Sequence, residues 1–155
     1  MVIRRAGVKD IDGILALLSQ VLEVHAAIRP DLFITGNTKY TGEELTEIIK
    51  DDNRPIYVAL EEDAVIGYAF CVHKEEPAGN CTYAKKEVYL DDLCVDESVR
   101  GKDVAKQIYE YVKSEAKKQG FDYLTLNVWE GNVPAEKFYQ KMGMTPRKTM
   151  MECKL

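Results

Sequence analysis

Leu93-Cys94-Val95, followed by Arg100-Gly101-Lys102-Asp103-Val104-Ala105, decides the reading of this chain. The first three residues close an apolar run, Glu87–Val95, that reads as a strand. The next four make a short basic turn with one glycine. From Val104 to Lys118, the residues Val104, Ile108, Tyr111, Val112 and Ala116 form one helical stripe. Gly120 suits the C′ position that ends such a helix. Tyr123–Val128 then alternates, with Leu124, Leu126 and Val128 on one face. Strand, helix, strand is a βαβ unit, so the strands at 87–95 and 123–128 are predicted to run near-parallel.

Outward from this unit, Val2–Arg5 reads as a short strand. Asp10 to Val24 carries Ile11, Ile14, Leu15, Leu18, Val21 and Leu22 at helical spacing. Pro30-Asp31 and Gly36-Asn37 mark a loop. Thr41 with Glu44 three residues on is a capping box for a helix to about Asp51. Ile56–Leu60 and Ala64–His73, turned by Glu62-Asp63, read as an antiparallel hairpin. Glu75 to Lys86 is polar and reads as a loop. Asn132 to Lys141 is a short helix stopped by Gly143, and Met144–Cys153 is predicted as a closing strand. The order β-α-α-β-β-β-α-β-α-β predicts a mixed α/β (α+β) sheet with helices over both faces.

The 155 residues fit one compact domain, 1–155. Hydrophobic residues make up 46% and charged residues 30%, which excludes a disordered or collagenous chain. With 21 basic and 26 acidic side chains the net charge is −5, so nucleic-acid binding by bulk electrostatics is not expected. No stretch reads as a membrane span or a secretory signal, and a cytoplasmic protein is expected. Cys71, Cys81, Cys94 and Cys153 form no C-x-x-C pair, and His25 and His73 give poor zinc spacing. Free, mostly buried thiols and no metal are expected.

Three places could carry chemistry. The turn at 100–105 presents unpaired N–H groups at a helix start, flanked by Arg100, Lys102 and Lys106; it is an anion site or an ordinary solvated turn. Asp91 and Asp92 interrupt an apolar strand, where carboxylates are costly unless bonded or functional. One reading is a solvent-facing Asp and a structural hydrogen bond; in the other, at most one faces a given pocket unless a bulge intervenes. Asn132 suits an N-cap, and Tyr139, two turns on, is either core or a proton donor.

Those residues together resemble the GNAT superfamily of acetyl-CoA-dependent N-acetyltransferases. The turn pattern of that family is Arg or Gln, two free positions, Gly, one free position, then Gly or Ala. Arg100 and Ala105 fit it, and Asp103 stands where glycine is usual. Asn132-Val133-Pro134-Ala135, Phe138-Tyr139 and Gly143 fit the later motif, and Ile3-Arg4-Arg5-Ala6 with Asp10-Ile11 resembles the family's opening. The resemblance covers nearly the whole chain. It implies a V-shaped splay between the strands at 87–95 and 123–128, with the pantetheine arm of acetyl-CoA paired to the backbone of Leu93 and Val95.

It further implies cofactor contacts from Cys94, Arg100, Gly101, Lys102, Asp103, Val104, Ala105, Lys106, Asn127, Asn132 and Ala135, and Tyr139 beside the thioester sulfur. Tyr89-Leu90-Asp91-Asp92 and Glu130-Gly131-Asn132 look closest to the polyamine and thialysine acetyltransferase branch. Asp91 matches that branch's catalytic carboxylate, one methylene shorter than the usual Glu, and Asp92 is the alternative base. Tyr139 would protonate the departing thiolate, and a backbone N–H near Cys94 would stabilise the oxyanion.

Helices 10–24 and 41–51 and their loop, with His25, Arg29, Asp31 and Phe33, would form the acceptor lid. Asp103 is expected to cap its helix with the side chain turned from the ligand. The expected function is acetyl transfer to a primary amine, of a small molecule first. Peptide or protein N-acetylation, or acyl-CoA binding without turnover, are the alternatives. A homodimer is common in the family.

Overall fold

The computed structural model describes residues 1–155. Five strands, β1 (Val2–Arg5), β2 (Ile56–Glu61), β3 (Ala64–Glu76), β4 (Lys85–Val95) and β5 (Tyr123–Thr125), form one sheet in sequence order. The first three pairings are antiparallel, and β4–β5 is parallel. The helices are α1 (Ile11–Ile28), α2 (Gly42–Lys50), α3 (Val104–Lys118) and α4 (Val133–Lys141).

Alternation along β2 sorts the two cores. Ile56, Val58 and Leu60 pack with Ile14, Leu17 and Leu18 of α1 and with Leu45 and Ile48 of α2. Tyr57 and Ala59 face the other way, toward Ile108, Tyr109 and Val112 of α3. Glu62 and Asp63 turn the β2–β3 hairpin with φ of 49° and 66°, the backbone of a two-residue primed turn. Thr41 and Glu44 exchange both capping-box bonds, Thr41 N–H to Glu44 Oε2 at 2.8 Å and Glu44 N–H to Thr41 Oγ1 at 3.2 Å.

α3 crosses β3 at Gly67, where a Cβ would lie 2.7 Å from Ile108 Cδ1 and 3.1 Å from the Cys94 carbonyl. Ile108 is fully buried there. Ile108→Ala is expected to cost about 3 kcal/mol, the transfer of its methyl groups plus the cavity left under α3. Urea unfolding of both proteins checks this; a loss under about 1 kcal/mol would mean that the sheet closes onto the helix.

Four expectations are corrected. Met144–Cys153 forms no strand, and every residue of that segment except the half-buried Met144 is exposed. Pro146 lacks the donor a ladder needs, and the segment is held through Arg147 to Glu87 at 2.8 Å and Glu152 to Arg29 at 2.6 Å. β5 ends at Thr125, not Val128, because its partner strand diverges. Val8–Ile28 is long and apolar enough to cross a membrane despite Asp10, Asp12 and Glu23; here Ile14, Leu17 and Leu18 of α1 lie on the sheet. Of the four free thiols only Cys71 and Cys94 are buried, because Cys81 and Cys153 lie in irregular surface segments.

Candidate active site

β4 carries the site because it loses one neighbour partway along. Its ladder to β5 covers only Glu87↔Tyr123, Val88↔Leu124 and Tyr89↔Thr125. From Leu90 to Val95 the β5-side edge of β4 has no strand partner, while β3 still pairs the other edge as far as Val95. This is the splay, and its vertex lies at Tyr89 and Thr125. Thr125 Oγ1 is buried there with no hydrogen-bond partner. Buried hydroxyls are rarely left so, and a polar group entering the wedge would satisfy it. Just past the vertex Asn127 Nδ2 donates to the Tyr89 hydroxyl at 3.1 Å.

The open edge runs into the turn before α3. The N–H groups of Gly101, Asp103, Val104, Ala105 and Lys106 bond to no group of the protein; only Arg100 and Lys102 turn back, to Glu97 and Val99 carbonyls. Five free amides at the positive end of a 15-residue helix make an anion cradle. Arg100, Gly101, Asp103, Val104, Ala105 and Lys106 line a cavity of about 180 Å³ with Val95, Val99 and Phe138. Gly101 has φ +82° and no atom within 4 Å of where a Cβ would be, so that face of the turn is open.

Asp103 does not cap α3. Capping residues adopt extended backbone, as Thr41 does here at φ −83°, ψ 167°. Asp103 sits at φ 59°, ψ 12°, and its side chain makes no cap bond. The turn requires a left-handed residue at this position, which glycine adopts freely and Asp tolerates better than most.

Asp91 and Asp92 are separated by a bulge. The β3–β4 register shifts between Phe70↔Asp92 and Cys71↔Leu90, leaving Asp91 as the extra residue. The shift also exchanges the faces: Val88 and Leu90 belong to the α3-side core, whereas Cys94 belongs to the α1-side core. Asp92 is thereby turned to Tyr68, whose hydroxyl donates to Asp92 Oδ2 at 2.9 Å. Burial pushes the Asp92 carboxyl up to about 6, against the opposing pull of that bond and of Lys39. Asp91 instead meets Lys39 from the α1–α2 loop, Nζ to Oδ2 at 2.6 Å.

Tyr139 is placed by both ends of α4. Asn132 caps the start, its Oδ1 accepting from Ala135 N–H at 3.3 Å. At the other end Gly143 takes φ +85°, and Met144 N–H bonds the Tyr139 carbonyl at 3.0 Å. The half-buried Tyr139 ring lies 5.1 Å from Phe138 and 6.3 Å from Tyr109. Burial first, then the Asp92 charge, hold its phenol well above the usual tyrosine range.

The lid residues are brought together only in part. His25 packs on Phe33 at 5.4 Å, and Phe33 on Trp129 at 5.4 Å. Arg29 and Asp31 pair with each other at 2.7 Å. Lys39, Tyr68, Thr125 and Trp129 carry no local pattern that distinguishes them in the sequence; each is drawn to the site by contacts distant along the chain.

A parallel strand pair that splays over an amide cradle, with carboxylates on the opened strand, matches the splay and anion site that the sequence resemblance implies. Residues 21–144 match the acetyltransferase (GNAT) family, and the chain belongs to it. The uncharacterized N-acetyltransferase YycN of Bacillus subtilis (strain 168) is 28% identical over 96 residues, 62% of this chain. Those residues span 58% of YycN, so the match leaves more than a third of that relative uncovered. A mutant of the BH1408 protein from Bacillus halodurans superposes with a TM-score of 0.95 at 29% identity, covering 100% of this chain and 99% of that one. The aminoglycoside N-acetyltransferase AAC(6')-Iy, solved in complex with CoA, shares the fold at a TM-score of 0.73 and 19% identity, covering 99% and 98%.

Proposed function

We propose that the protein moves an acetyl group from acetyl-CoA to a primary amine of a small molecule. The observation that carries this reading is the open edge of β4, which leads from the two carboxylates to the five free amides before α3. Family membership supports acetyl-CoA as donor, as does the neighbour solved with CoA. The aminoglycoside acetyltransferases among the structural neighbours support a polyamine-like small acceptor, and one of them was solved with sisomicin.

When bound, acetyl-CoA supplies the acetyl group as an activated thioester. Leu93 and Val95 offer backbone groups to its arm, because Cys94 turns its own toward β3, and Asn127 lies just past the vertex of the wedge. The amides of Gly101 and Asp103–Lys106 hold phosphate, with Arg100, Lys102 and Lys106 adding charge. Asp91 anchors the acceptor as its ammonium. Asp92 takes the proton, the reverse of the order the family resemblance implies, because burial raises its carboxyl to about 6.

Tyr139 returns a proton to the leaving sulfur. A neutral Asp92 no longer opposes ionisation of the phenol, so the uptake of one proton eases the release of the other.

Asp103→Gly is expected to tighten CoA binding about tenfold at low salt, since a carboxylate about 5 Å from phosphate repels it by up to about 3 kcal/mol before screening. Calorimetry at two salt concentrations checks this; an unchanged affinity would put the phosphates away from this turn. A panel of polyamines, aminoglycosides and N-terminal and lysyl peptides tests the acceptor class, with CoA release as the readout. Turnover of small amines is expected. Turnover of peptides alone would replace the small-molecule reading, and CoA binding without turnover of any amine would leave a binding domain.

A further inference from the structure

The paired lysines fall into three settings, and Lys85 and Lys86 meet Glu76, Glu87 and Glu75 along the β3–β4 ladder. Lys50, Lys113 and Lys118 pair with a carboxylate three residues away on the same helix. Lys39 reaches across 52 residues to the bulged carboxylate of β4, with Nζ 2.6 Å from Asp91 Oδ2. Asp92 adds its attraction from the next position.

The placement is built rather than incidental. Tyr40, the next residue, stacks on Phe70 at 5.6 Å, and Phe70 is the strand partner of Asp92. Thr38 Oγ1 donates to the Tyr40 carbonyl at 2.7 Å, and Thr41 is fixed by its capping box. Lys39 is thus held from both sides, with its side chain still 44% exposed. A primary amine of this chain occupies the position in which the reading above puts the acceptor's ammonium.

We propose that Lys39 is an internal acetyl acceptor of this site, modified at Nζ when no amine substrate competes. The inference rests on the acetyl-CoA reading. In the step, the Lys39 Nζ–carbonyl carbon bond forms and the carbonyl carbon–sulfur bond of the thioester breaks. Of the three ammonium protons, one stays on the amide nitrogen, one ends on the CoA thiol and one passes through the carboxylates to solvent. The product is a neutral amide, so Lys39 no longer pairs with Asp91, and the carboxylate is left free for an external ammonium.

The test uses the whole protein with acetyl-CoA and no added amine. Calorimetry first measures binding of CoA. Peptide mapping by mass spectrometry then follows acetylation of each lysine in time, with and without excess CoA. We expect Lys39 to be acetylated at least about tenfold faster than exposed Lys50 or Lys118, as positioning beside the donor requires. Excess CoA protects Lys39 and leaves the slow chemical labelling of Lys50 and Lys118 unchanged. Lys39→Arg binds CoA as before and takes no label on that peptide.

CoA binding with Lys39 labelled no faster than Lys50, or labelled without protection by CoA, overturns this inference and leaves the acetyl-CoA reading standing. No CoA binding overturns both.

Discussion

Tyr139→Phe is expected to lower kcat about a hundredfold while CoA affinity stays within about twofold. The ring is held by Phe138, Tyr109 and both caps of α4, so phenylalanine fills the same space and only the hydroxyl is lost. A thiol of ordinary pKa near 8.5 is a stronger acid than a phenol near 10, so proton transfer to the thiolate is already uphill by about 2 kcal/mol. Burial and the Asp92 charge raise the phenol further. In the proposed reaction Tyr139 would therefore act through its position and through the neutralisation of Asp92, not through intrinsic acidity. Single-turnover kinetics check this; a kcat unchanged in Tyr139→Phe removes the hydroxyl from the reaction.

Asp92→Asn has the largest expected effect, a loss of about a thousandfold in kcat/KM. In the wild type, kcat/KM should rise with pH through about 6 and then level, following ionisation of Asp92. In Asp92→Asn that limb disappears. The same group leaves a signature in stability of opposite sense. Its folded-state proton affinity is raised above the unfolded value, so the native state holds a proton that the unfolded chain has released between about pH 4 and pH 6. Stability is lost as pH rises through that window, by about 2 to 3 kcal/mol for a shift of about two units.

Asp92→Asn carries no such charge, so its stability should gain on the wild type by about that amount between pH 4 and pH 7. Denaturant unfolding at the two pH values measures the gap. A gap that does not change with pH would mean that Asp92 titrates as an ordinary exposed carboxyl.

What the sequence makes legible is what local chemistry decides. Thr41 and Glu44 sit three residues apart and form the box that their spacing predicts. Gly120 and Gly143 take the positive φ expected just past their helices. The parallel pairing of β4 and β5 follows from the helix between them. The bulge at Asp91 is hidden because it is a property of register, set by which residue of β3 lies opposite. Without it Asp92 would face the other core and would not meet Tyr68.

The length of β5 is hidden for the same reason: Leu126 and Val128 keep the alternation of a strand after their partner has diverged. Met144–Cys153 shows no such alternation, and Pro146 is a signal against the strand expected there. The contact of Lys39 with Asp91 spans 52 residues, and nothing near Lys39 in the sequence announces it.

The proposed function requires that the open edge of β4 and the amide cradle before α3 hold acetyl-CoA. Calorimetric titration of the purified protein with acetyl-CoA is the most direct measurement. Binding at micromolar strength with one site per chain, weakened as salt is raised, is the predicted result. Absence of binding at millimolar acetyl-CoA would contradict it, and would make this chain a member of the fold without its donor site.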